Sequence, residues 1–392
     1  MTLTRNPELS ALAGSDVLAH ALAGRGEAVS MPSETVELNP RRLRRAKKAY
    51  TVREFARQTR ENGAEGYHLV RGSRVQPAPG DLVLARIAEI GHHKRLESYN
   101  SRRRHLFLGD EIVVAYGHRY APDQFLAEVP ENLDFTNLVA AGGLAGRVIE
   151  RHADTDLATT IEPIGLLADE LGVINLRRTS PASIRNWEQA RDEFHALERR
   201  PHVVVVFGSS MNSGKSTVVG NLVNGLGHAG LEVSAGKATG TGAGNDAGLF
   251  HDAGANTVLD FTDFGLPSTF RLTLPELKDA VFSMFAELAR DEDDVIIVEI
   301  ADGIYQGETA HLVTDPDFKQ MVDSVLFACG EALSAAAGSE LLTRAELPLK
   351  AISGRLTSAP LITREAQAVT TAPVVGTFDL CLPEVARSVI GL

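Results

Sequence analysis

The stretch HVVVVFGSSMNSGKSTVVGNLV, residues 202–223, decides the fold of the C-terminal half of this chain. Its four consecutive valines predict a strand that is buried on both faces, and the glycine- and serine-rich segment after them predicts a sharp turn into a helix. Glycines at such a turn let backbone N–H groups converge on the oxygens of an anion, and the helix N-terminus adds a favourable dipole. The stretch therefore predicts a phosphate-binding loop.

The polar residues of this loop have separate predicted tasks. Lys215 is expected to neutralise the β- and γ-phosphates of a nucleotide, and Ser216 to ligate Mg²⁺. Five residues separate Gly208 from Gly214, one more than in the common motif, and Ser209 stands where the standard glycine would be. We expect the cofactors to be ATP and Mg²⁺, with ATP favoured over GTP only because the sequence has no Asn-Lys-x-Asp guanine signature. The predicted nucleotide-binding residues are Gly208, Ser209, Asn212, Ser213, Gly214, Lys215, Ser216 and Thr217.

Apolar strand-like segments alternate with helix-length segments after residue 201. Near-continuous apolar strands imply burial on both faces, so the pattern predicts an α/β domain with a mainly parallel sheet covered by helices. Ligands of such sheets bind beyond the carboxyl ends of the strands. The predicted strands are residues 202–207, 231–236, 257–261, 294–300, 324–329, 349–353 and 373–376.

The loop GSSMNSGKST, residues 208–217, resembles the Gly-x5-Gly-Lys loop of dethiobiotin synthetase and its relatives among P-loop enzymes, which include the molybdopterin-guanine dinucleotide accessory protein. It also resembles a group of bacterial P-loop proteins of unknown function, the D-glutamate N-acetyltransferase group. The resemblance extends over about residues 202–380. It implies a P-loop NTPase domain that transfers a phosphoryl group.

Two further positions agree with this resemblance. A lysine just after the second strand of dethiobiotin synthetase contacts the reacting carboxyl or carbamate group, and Lys237 has the similar place here. Glu299 matches the Glu-x-x-x-Gly pattern of an acidic residue that helps to hold the metal. The sequence departs from the family at Ala301 and Asp302, where small neutral residues are the pattern, so the detailed metal geometry is not carried over.

The remaining predicted site residues follow the strands of the sheet. The glycine-dense loop 237–246 is expected to bind the acceptor. Residues 355–366 are interpreted first as a structural loop and helix cap, with approach to the nucleobase or acceptor as the alternative. Asp246 is the preferred second Mg²⁺ ligand, Asp260 and Asp263 compete with it, and each of the three could instead cap a helix. The predicted catalytic residues are Lys215, Lys237 and Glu299, the predicted metal ligands Ser216, Asp246 and Glu299, and the predicted substrate-binding residues Thr239, Thr241, Asp260 and Asp302.

The N-terminal half has a different texture. Residues 66–165 contain short β-branched runs separated by turn residues, which predict a smaller β-rich domain, either a barrel or a sandwich. Residues 1–35 are interpreted as a flexible tail, 36–65 as a basic helical segment and 166–200 as a connector. The P-loop NTPase domain is expected to occupy 201–392.

Composition limits the classes of partner. The chain has 392 residues, a formal net charge of −12 and two cysteines, which argues against a general nucleic-acid binder and against a disulfide or zinc framework. We therefore expect a cytoplasmic protein with no membrane span. Residues 41–60 are the exception in charge, and a solvated helix face is preferred there over an anionic partner such as RNA.

These observations predict ATP- and Mg²⁺-dependent phosphoryl transfer to a small-molecule acceptor, by a ligase or a kinase. A carboxylate acceptor would give an acyl phosphate. One alternative is an NTP-hydrolysing switch or chaperone that acts through the N-terminal β domain, and another is a polynucleotide kinase. A homodimer is compatible with each of these activities.

Overall fold

The computed structural model describes residues 33–392, so most of the predicted tail 1–35 lies outside the described residues. The described part contains a β-rich unit followed by an α/β unit, which confirms the predicted fold class. No helix within residues 33–392 is long and apolar enough to cross a membrane.

The N-terminal unit is formed mainly by strands. Its strands are β1 (Glu34–Glu37), β2 (Lys47–Lys48), β3 (His68–Arg71), β4 (Leu82–Glu89), β5 (Arg95–Glu97), β6 (Arg103–His105), β7 (Glu111–Tyr116), β8 (Arg119–Tyr120), β9 (Phe125–Glu128), β10 (Thr136–Ala140), β11 (Leu144–Arg151), β12 (Thr159–Asp169) and β13 (Gly172–Val173). Its helices are α1 (Pro40–Arg45), α2 (Arg53–Glu61) and α3 (Leu176–Thr179).

Five of these strands close into a ring. β12 pairs with β4, β4 with β7, β7 with β11, β11 with β10, and β10 again with β12. All of these pairs are antiparallel except β7 with β11. Closure leaves the ring without an unpaired edge, and apolar side chains such as Leu82, Leu84 and Val113 are buried in its core. Of the two predicted architectures, the barrel is therefore correct.

The basic residues 36–65 are not a separate helical segment. β1 pairs with β3 and β2 pairs with β7, so the segment contributes strands to the barrel sheet. Its apolar side chains, including Leu43, Val52 and Phe55, are buried in the barrel core. Sequence charge hid this docking because most arginines of α1 and α2 face outward while a narrow apolar stripe faces inward; Arg53, at the start of α2, is the exception and pairs with Asp263.

The C-terminal unit alternates strands and helices. Its strands are β14 (His202–Gly208), β15 (Val233–Lys237), β16 (Val258–Asp260), β17 (Val295–Glu299), β18 (Ser324–Ala328) and β19 (Leu349–Ser353). Its helices are α4 (Trp187–His195), α5 (Lys215–His228), α6 (Asn245–Asp252), α7 (Leu274–Leu288), α8 (Gly307–Thr314), α9 (Pro316–Met321), α10 (Ala332–Arg344), α11 (Pro360–Val369) and α12 (Pro383–Ile390).

The sheet of this unit has the strand order β16-β15-β17-β14-β18-β19, and every neighbouring pair is parallel. Successive valines of β14 point to opposite faces: Val203 and Val205 lie in one apolar core, and Val204 and Val206 in the other. Two-sided burial is what the valine run predicts. The predicted strand 373–376 is reduced to a single bridge between Ile352 and Val374.

The predicted connector 166–200 is divided between the two units. Strand β12 continues to Asp169, so the barrel extends past the predicted boundary at 165. Helix α4 packs on α7, with Phe194 in the core of the α/β unit and the Trp187 ring 5.8 Å from that of Phe282. Each part of the connector therefore contributes apolar side chains to one of the two units.

Candidate functional site

The phosphate-binding loop depends on two glycines. A Cβ at Gly208 would lie 2.4 Å from the Ser213 hydroxyl and 2.8 Å from the Lys215 side chain, so the turn closes only with glycine there. Gly214 has a φ of 100°, in the left-handed region that favours glycine. The loop accordingly turns directly from β14 into α5, as the sequence predicts.

The first N–H groups of α5 have no side-chain cap, because the residue at its N-cap position is a glycine. Its N-cap is Gly214 and no side chain caps the first turn, whereas α7 begins with a capping box formed by Thr273 and Glu276. Uncapped N–H groups at a helix start are available to an external anion. The Lys215 ammonium lies at the same place, where it donates to the carbonyl oxygens of Ser210 at 2.9 Å and Asp302 at 2.6 Å.

Three charged side chains meet beside this loop. Lys237 ends β15 and Glu299 ends β17, and these residues are direct partners in the parallel register. Their charged groups are 3.7 Å apart, between Lys237 Nζ and Glu299 Oε1. Asp246, in the first turn of α6, forms an ion pair with the same ammonium. The carboxyl edge of the sheet thus brings together residues that are up to 62 positions apart in sequence, Lys237 and Glu299.

Burial and the charges of the neighbouring side chains set the protonation states of Lys237, Asp246 and Glu299. Burial alone would lower the pKa of Lys237, but the carboxylates of Asp246 and Glu299 outweigh it and raise that pKa. Burial raises the pKa of Glu299, and the charge of Asp246 adds to the effect. Burial would also raise the pKa of Asp246, yet Lys237 holds it below its ordinary value. Lys237 is therefore a permanent cation and Asp246 a permanent anion near neutral pH.

Among residues 33–392, no hydrogen-bond partner is found for two buried oxygens at or beside the site. They are Oε2 of Glu299 and Oγ of Ser213. A buried acceptor without a partner is costly, so such an atom indicates a place where a ligand or cation binds. The oxygens of Ser216, Asp246 and Glu299 are hard donors of the kind that Mg²⁺ prefers, and they fit the predicted ion.

Within residues 33–392, no group of three or more His, Cys, Asp or Glu side chains could hold a metal by itself. Mg²⁺ commonly takes one or two carboxylates and completes its shell with water and substrate phosphate oxygens. The carboxylate pair Asp246 and Glu299 with the Ser216 hydroxyl matches that pattern. The site is thus suited to a metal that arrives with a phosphate ligand.

These groups line one cleft of about 680 Å³, within the usual size range of small-molecule sites. Residues that the sequence predicts and the cleft contains are Asn212, Gly214, Lys215, Ser216, Thr217, Lys237, Asp246, Glu299 and Asp302. Further lining residues that were not named individually from the sequence are Met211, Leu249 and Ala301, together with Asn245 of the predicted acceptor loop and Arg355.

Arg355 is the most informative of these further residues. For the segment 355–366 the sequence favours a structural role over approach to a ligand, but its exposed first residue lines the cleft. The backbone N–H of Arg355 donates to the carbonyl of Ser213 at 3.0 Å, which fixes it against the phosphate-binding loop. The signal in the sequence is Gly354, whose φ of 96° allows the chain to turn directly after β19.

Asp260 is a correction to the predicted substrate and metal residues. It does not line the cleft, and its carboxylate is already engaged by the N-terminal unit. The Tyr50 hydroxyl donates to Asp260 Oδ2 at 2.6 Å, and an Arg53 guanidinium nitrogen lies 3.5 Å from Oδ1. Asp263 pairs with the same arginine. Asp260 also accepts from the N–H of Thr262 at 2.6 Å, and Asp263 accepts from the N–H of Asp260 at 2.9 Å, so the helix-capping alternative is the one that the structure has. Both carboxylates in addition serve the contact between the units, which the sequence of either unit alone does not reveal.

Thr239 and Thr241 also differ from their predicted role. The Thr239 hydroxyl is buried, accepts from the backbone N–H of Ala301 at 2.7 Å and donates to the Ala301 carbonyl. It therefore positions the segment after β17 rather than a substrate. Thr241 lies outside the cleft, at a narrow crevice with Tyr120 and Asp302 that reaches the N-terminal unit.

The glycine-dense loop 237–246 is packed against the barrel. A Cβ at Gly142 would lie 2.0 Å from the carbonyl oxygen of Gly242, and the N–H of Gly244 donates to Glu97 at 3.0 Å. A Cβ at Gly244 would meet the ring of Tyr50 at 2.6 Å. Close backbone approach explains the glycines, so this loop is fixed by the barrel before it reaches Asp246 in the cleft.

Comparison with known proteins finds only partial matches, and only among solved structures. No protein-family model matches the chain, and no curated protein matches it. Several solved structures match part of the chain. The septum site-determining protein MinD with Mg-ADP from Pyrococcus horikoshii OT3 is 14% identical, covers 48% of this chain and 94% of its own, and has a TM-score of 0.33. The C-terminal unit is thus defined by its own parallel sheet and helices.

Two other structures align over a similar extent. The hydrogenase maturation factor HypB from Archaeoglobus fulgidus is 12% identical, with 53% of this chain and 97% of its own covered and a TM-score of 0.33. The signal recognition particle receptor FtsY from Elizabethkingia anophelis in complex with GDP is 18% identical, with 53% and 71% covered and a TM-score of 0.32. At these identities and scores the matches carry no inference about activity.

Proposed function

We propose that this chain is an ATP- and Mg²⁺-dependent phosphoryl-transfer enzyme that acts on a small-molecule acceptor, in the manner of a dethiobiotin-synthetase-like ligase or a kinase. One observation carries the proposal. The open N-terminus of α5 and the Lys215 ammonium adjoin an orphaned Glu299 oxygen and the Lys237–Asp246 ion pair, all in one cleft. A triphosphate with its cation would satisfy each of these groups.

The residues divide the work by charge. The backbone N–H groups of the loop and Lys215 would bind the β- and γ-phosphates, and a phosphate oxygen would replace the carbonyls that Lys215 now contacts. Ser216, Asp246 and Glu299 would hold Mg²⁺, which neutralises the charge that develops on the transferred phosphoryl group. Positioning and electrostatic stabilisation supply most of the rate in this chemistry.

Lys237 would act on the acceptor side as a fixed cation. Its raised pKa excludes service as a general base near neutral pH, because the amine is not deprotonated. A protonated amine in that position attracts a negatively charged acceptor and steadies the equatorial oxygens during transfer. A carboxylate acceptor fits best, because it needs no base to remove a proton.

Asp302 lies at the side of the cleft that faces the barrel. It lines both the cleft and the narrow crevice with Tyr120, and burial raises the pKa of its carboxyl. For a hydroxyl acceptor, a carboxylate there would be placed to take the proton. We therefore propose that the acceptor binds between Lys237 and Asp302.

Calorimetry tests the nucleotide site directly. With Mg²⁺ present, a non-hydrolysable ATP analogue is expected to bind the wild-type chain, and Lys215→Ala is expected to weaken binding by about 100-fold because a charge-assisted contact is lost. Lys350→Ala removes an exposed lysine of the same sheet and serves as the matched control. Absence of heat with every triphosphate nucleotide would overturn the proposal.

An NTP-driven switch is the second candidate, and one contact favours it. Asn212 of the phosphate-binding loop donates to Asp123 of the barrel at 2.8 Å, so the loop touches the N-terminal unit directly. A switch hydrolyses ATP without an acceptor, at a rate that Asp123→Ala changes. A transfer enzyme forms ADP only with its acceptor, and Asp123→Ala leaves that rate within about twofold.

A further inference from the structure

A second cleft, here named the basic pocket, lies on the barrel away from the phosphate-binding loop. It has a volume of about 600 Å³ and is bounded by α1, α2 and the hairpin of β5 and β6. Its charged and aromatic lining consists of Arg44, Arg45, Lys48, Arg60, Arg104 and Tyr99, with Glu65 at its rim. The proposed phosphoryl transfer does not use any of these residues.

The positive charge of the basic pocket is poorly neutralised. Five basic side chains face one acid, Glu65, which pairs with Arg44 at 3.1 Å. In the part of the chain that the structure describes, neither Arg45 nor Arg104 forms an ion pair. The Arg60 guanidinium donates to the Tyr99 hydroxyl at 3.3 Å and keeps its charge uncompensated. Four cations are therefore left without an anionic partner.

Lys48 shows the consequence of this crowding. Its side chain is 8% exposed, and its ammonium contacts only the carbonyl oxygens of Leu43 and Ala46. Burial and the neighbouring charge of Arg104 lower the pKa of Lys48 to about 8. Lys278, which is equally buried, is neutralised by two carboxylates, those of Asp315 and Asp317. Lys48 has no such partner and would gain one from a bound anion.

On the surface next to the basic pocket, basic side chains are paired with acids. Arg42 pairs with Glu111 at 2.7 Å, and Lys47 pairs with Asp110. The same basic segment thus pairs Arg42 and Lys47 directly with acids on one side of α1, whereas on the other side, within residues 33–392, Arg44 alone has an ion pair. Arg45 lies between the two surfaces, near Glu111 but without an ion pair to it among the described residues. In a chain with a net charge of −12, an unmatched cluster inside a concave cavity is a feature that an anionic ligand explains.

We propose that the basic pocket binds a compact anion that carries two or more phosphate groups. Several cations spread around one cavity match several phosphates better than a single small anion, because each can form its own charge-assisted hydrogen bond. The bounded cavity and the negative net charge of the chain favour a small ligand over a nucleic-acid polymer. Tyr99 adds an aromatic ring on which a base of a nucleotide could stack.

The test uses a variant in which nucleotide binding at the phosphate-binding loop is weakened, so that binding at the basic pocket is measured separately. Lys215→Ala protein is titrated by calorimetry with pyrophosphate and, separately, with ADP, both in EDTA. One site is expected for each probe, and adding Arg45→Glu and Arg104→Glu is expected to weaken both by about tenfold or more. Tighter binding of ADP than of pyrophosphate would identify the ligand as a nucleotide, and equal binding would identify it as an inorganic polyphosphate.

A matched control separates site binding from net charge. Arg147 and Arg364 are exposed, lie outside the basic pocket and have no ion-pair partner within residues 33–392. Arg147→Glu with Arg364→Glu, in the same Lys215→Ala background, is expected to leave both affinities within about twofold. Thermal unfolding checks that both double variants fold.

Three results would overturn the proposal. One is the absence of binding by either probe in the Lys215→Ala protein. Another is equal weakening by the control pair, which would mean that the probes respond only to total charge. The third is tighter binding of a short single-stranded RNA than of pyrophosphate with the same dependence on Arg45 and Arg104, which would make the surface a nucleic-acid site. None of these results bears on ATP binding at the cleft with Lys215 intact, so the two proposals fail separately.

Discussion

The cleft of the α/β unit and the basic pocket of the barrel both present lysines and arginines, but they differ in charge balance. The cleft sets three cations, Lys215, Lys237 and Arg355, against three acids, Asp246, Glu299 and Asp302. The basic pocket sets five cations against Glu65 alone. A balanced site gains most from a ligand that brings both signs of charge, such as a nucleotide with its cation. An unbalanced site gains most from a bare anion.

Lys237→Ala should have the largest effect on activity, because it removes the cation that pairs with both Asp246 and Glu299 in the cleft. We expect kcat for phosphoryl transfer to fall about 100-fold, since a preorganised charge next to the transferred group is lost. Affinity for the ATP analogue should change by less than about threefold, because Lys215 and the loop amides remain. Steady-state kinetics and calorimetry measure the two quantities, with Lys350→Ala as control. Full turnover by the variant would mean that the acceptor binds elsewhere.

Magnesium should act in opposite directions at the two sites. At the cleft it is expected to strengthen binding of the ATP analogue by about tenfold or more, because Asp246 and Glu299 otherwise repel the phosphates. At the basic pocket it is expected to weaken pyrophosphate binding by a few fold, since it neutralises the anion that the cations attract. Titrations with Mg²⁺ and with EDTA measure both effects. If Mg²⁺ changed the affinity in the same direction and by the same factor at both sites, charge balance would not be what distinguishes them.

Raising the pH should remove the charge of Lys48 in the basic pocket but not that of Lys237 in the cleft. The pKa of Lys48 is lowered to about 8, so its charge is lost as the pH rises from 7 to 9, whereas the raised pKa of Lys237 keeps that amine charged. We expect pyrophosphate affinity at the basic pocket to fall about fivefold over that range. Lys48→Arg keeps its charge throughout, so the part of the dependence that comes from Lys48 should be absent in it, and the difference between the two pH profiles cancels the titration of pyrophosphate itself. An unchanged pH profile in Lys48→Arg would show that another group titrates.

The phosphate-binding loop and the parallel sheet were predictable because their signals are local. Four valines in a row indicate two-sided burial, and the spacing of Gly208, Gly214 and Lys215 indicates a turn that opens a helix. Strand ends in a parallel sheet share one edge, so Lys237 and Glu299 could be placed together from sequence before their contact was seen.

Contacts between the units were not predictable in the same way. Asp260 follows a strand and looks like a metal ligand in sequence, but Tyr50, 210 positions away, donates to it. The glycines of 237–246 suggest an acceptor loop, while Gly242 and Gly244 also serve close packing against Gly142 and Tyr50. Local pattern carries no information about which distant surface a polar side chain or a glycine meets.

The sequence by itself determined the parallel sheet and the glycine-rich turn that opens α5, because periodicity and glycine stereochemistry act over a few residues. Tertiary structure alone decided which carboxylates face the cleft and which basic residues lack an acid. Those outcomes depend on distances between residues far apart in the chain, and charge balance is fixed only when the barrel and the sheet pack together.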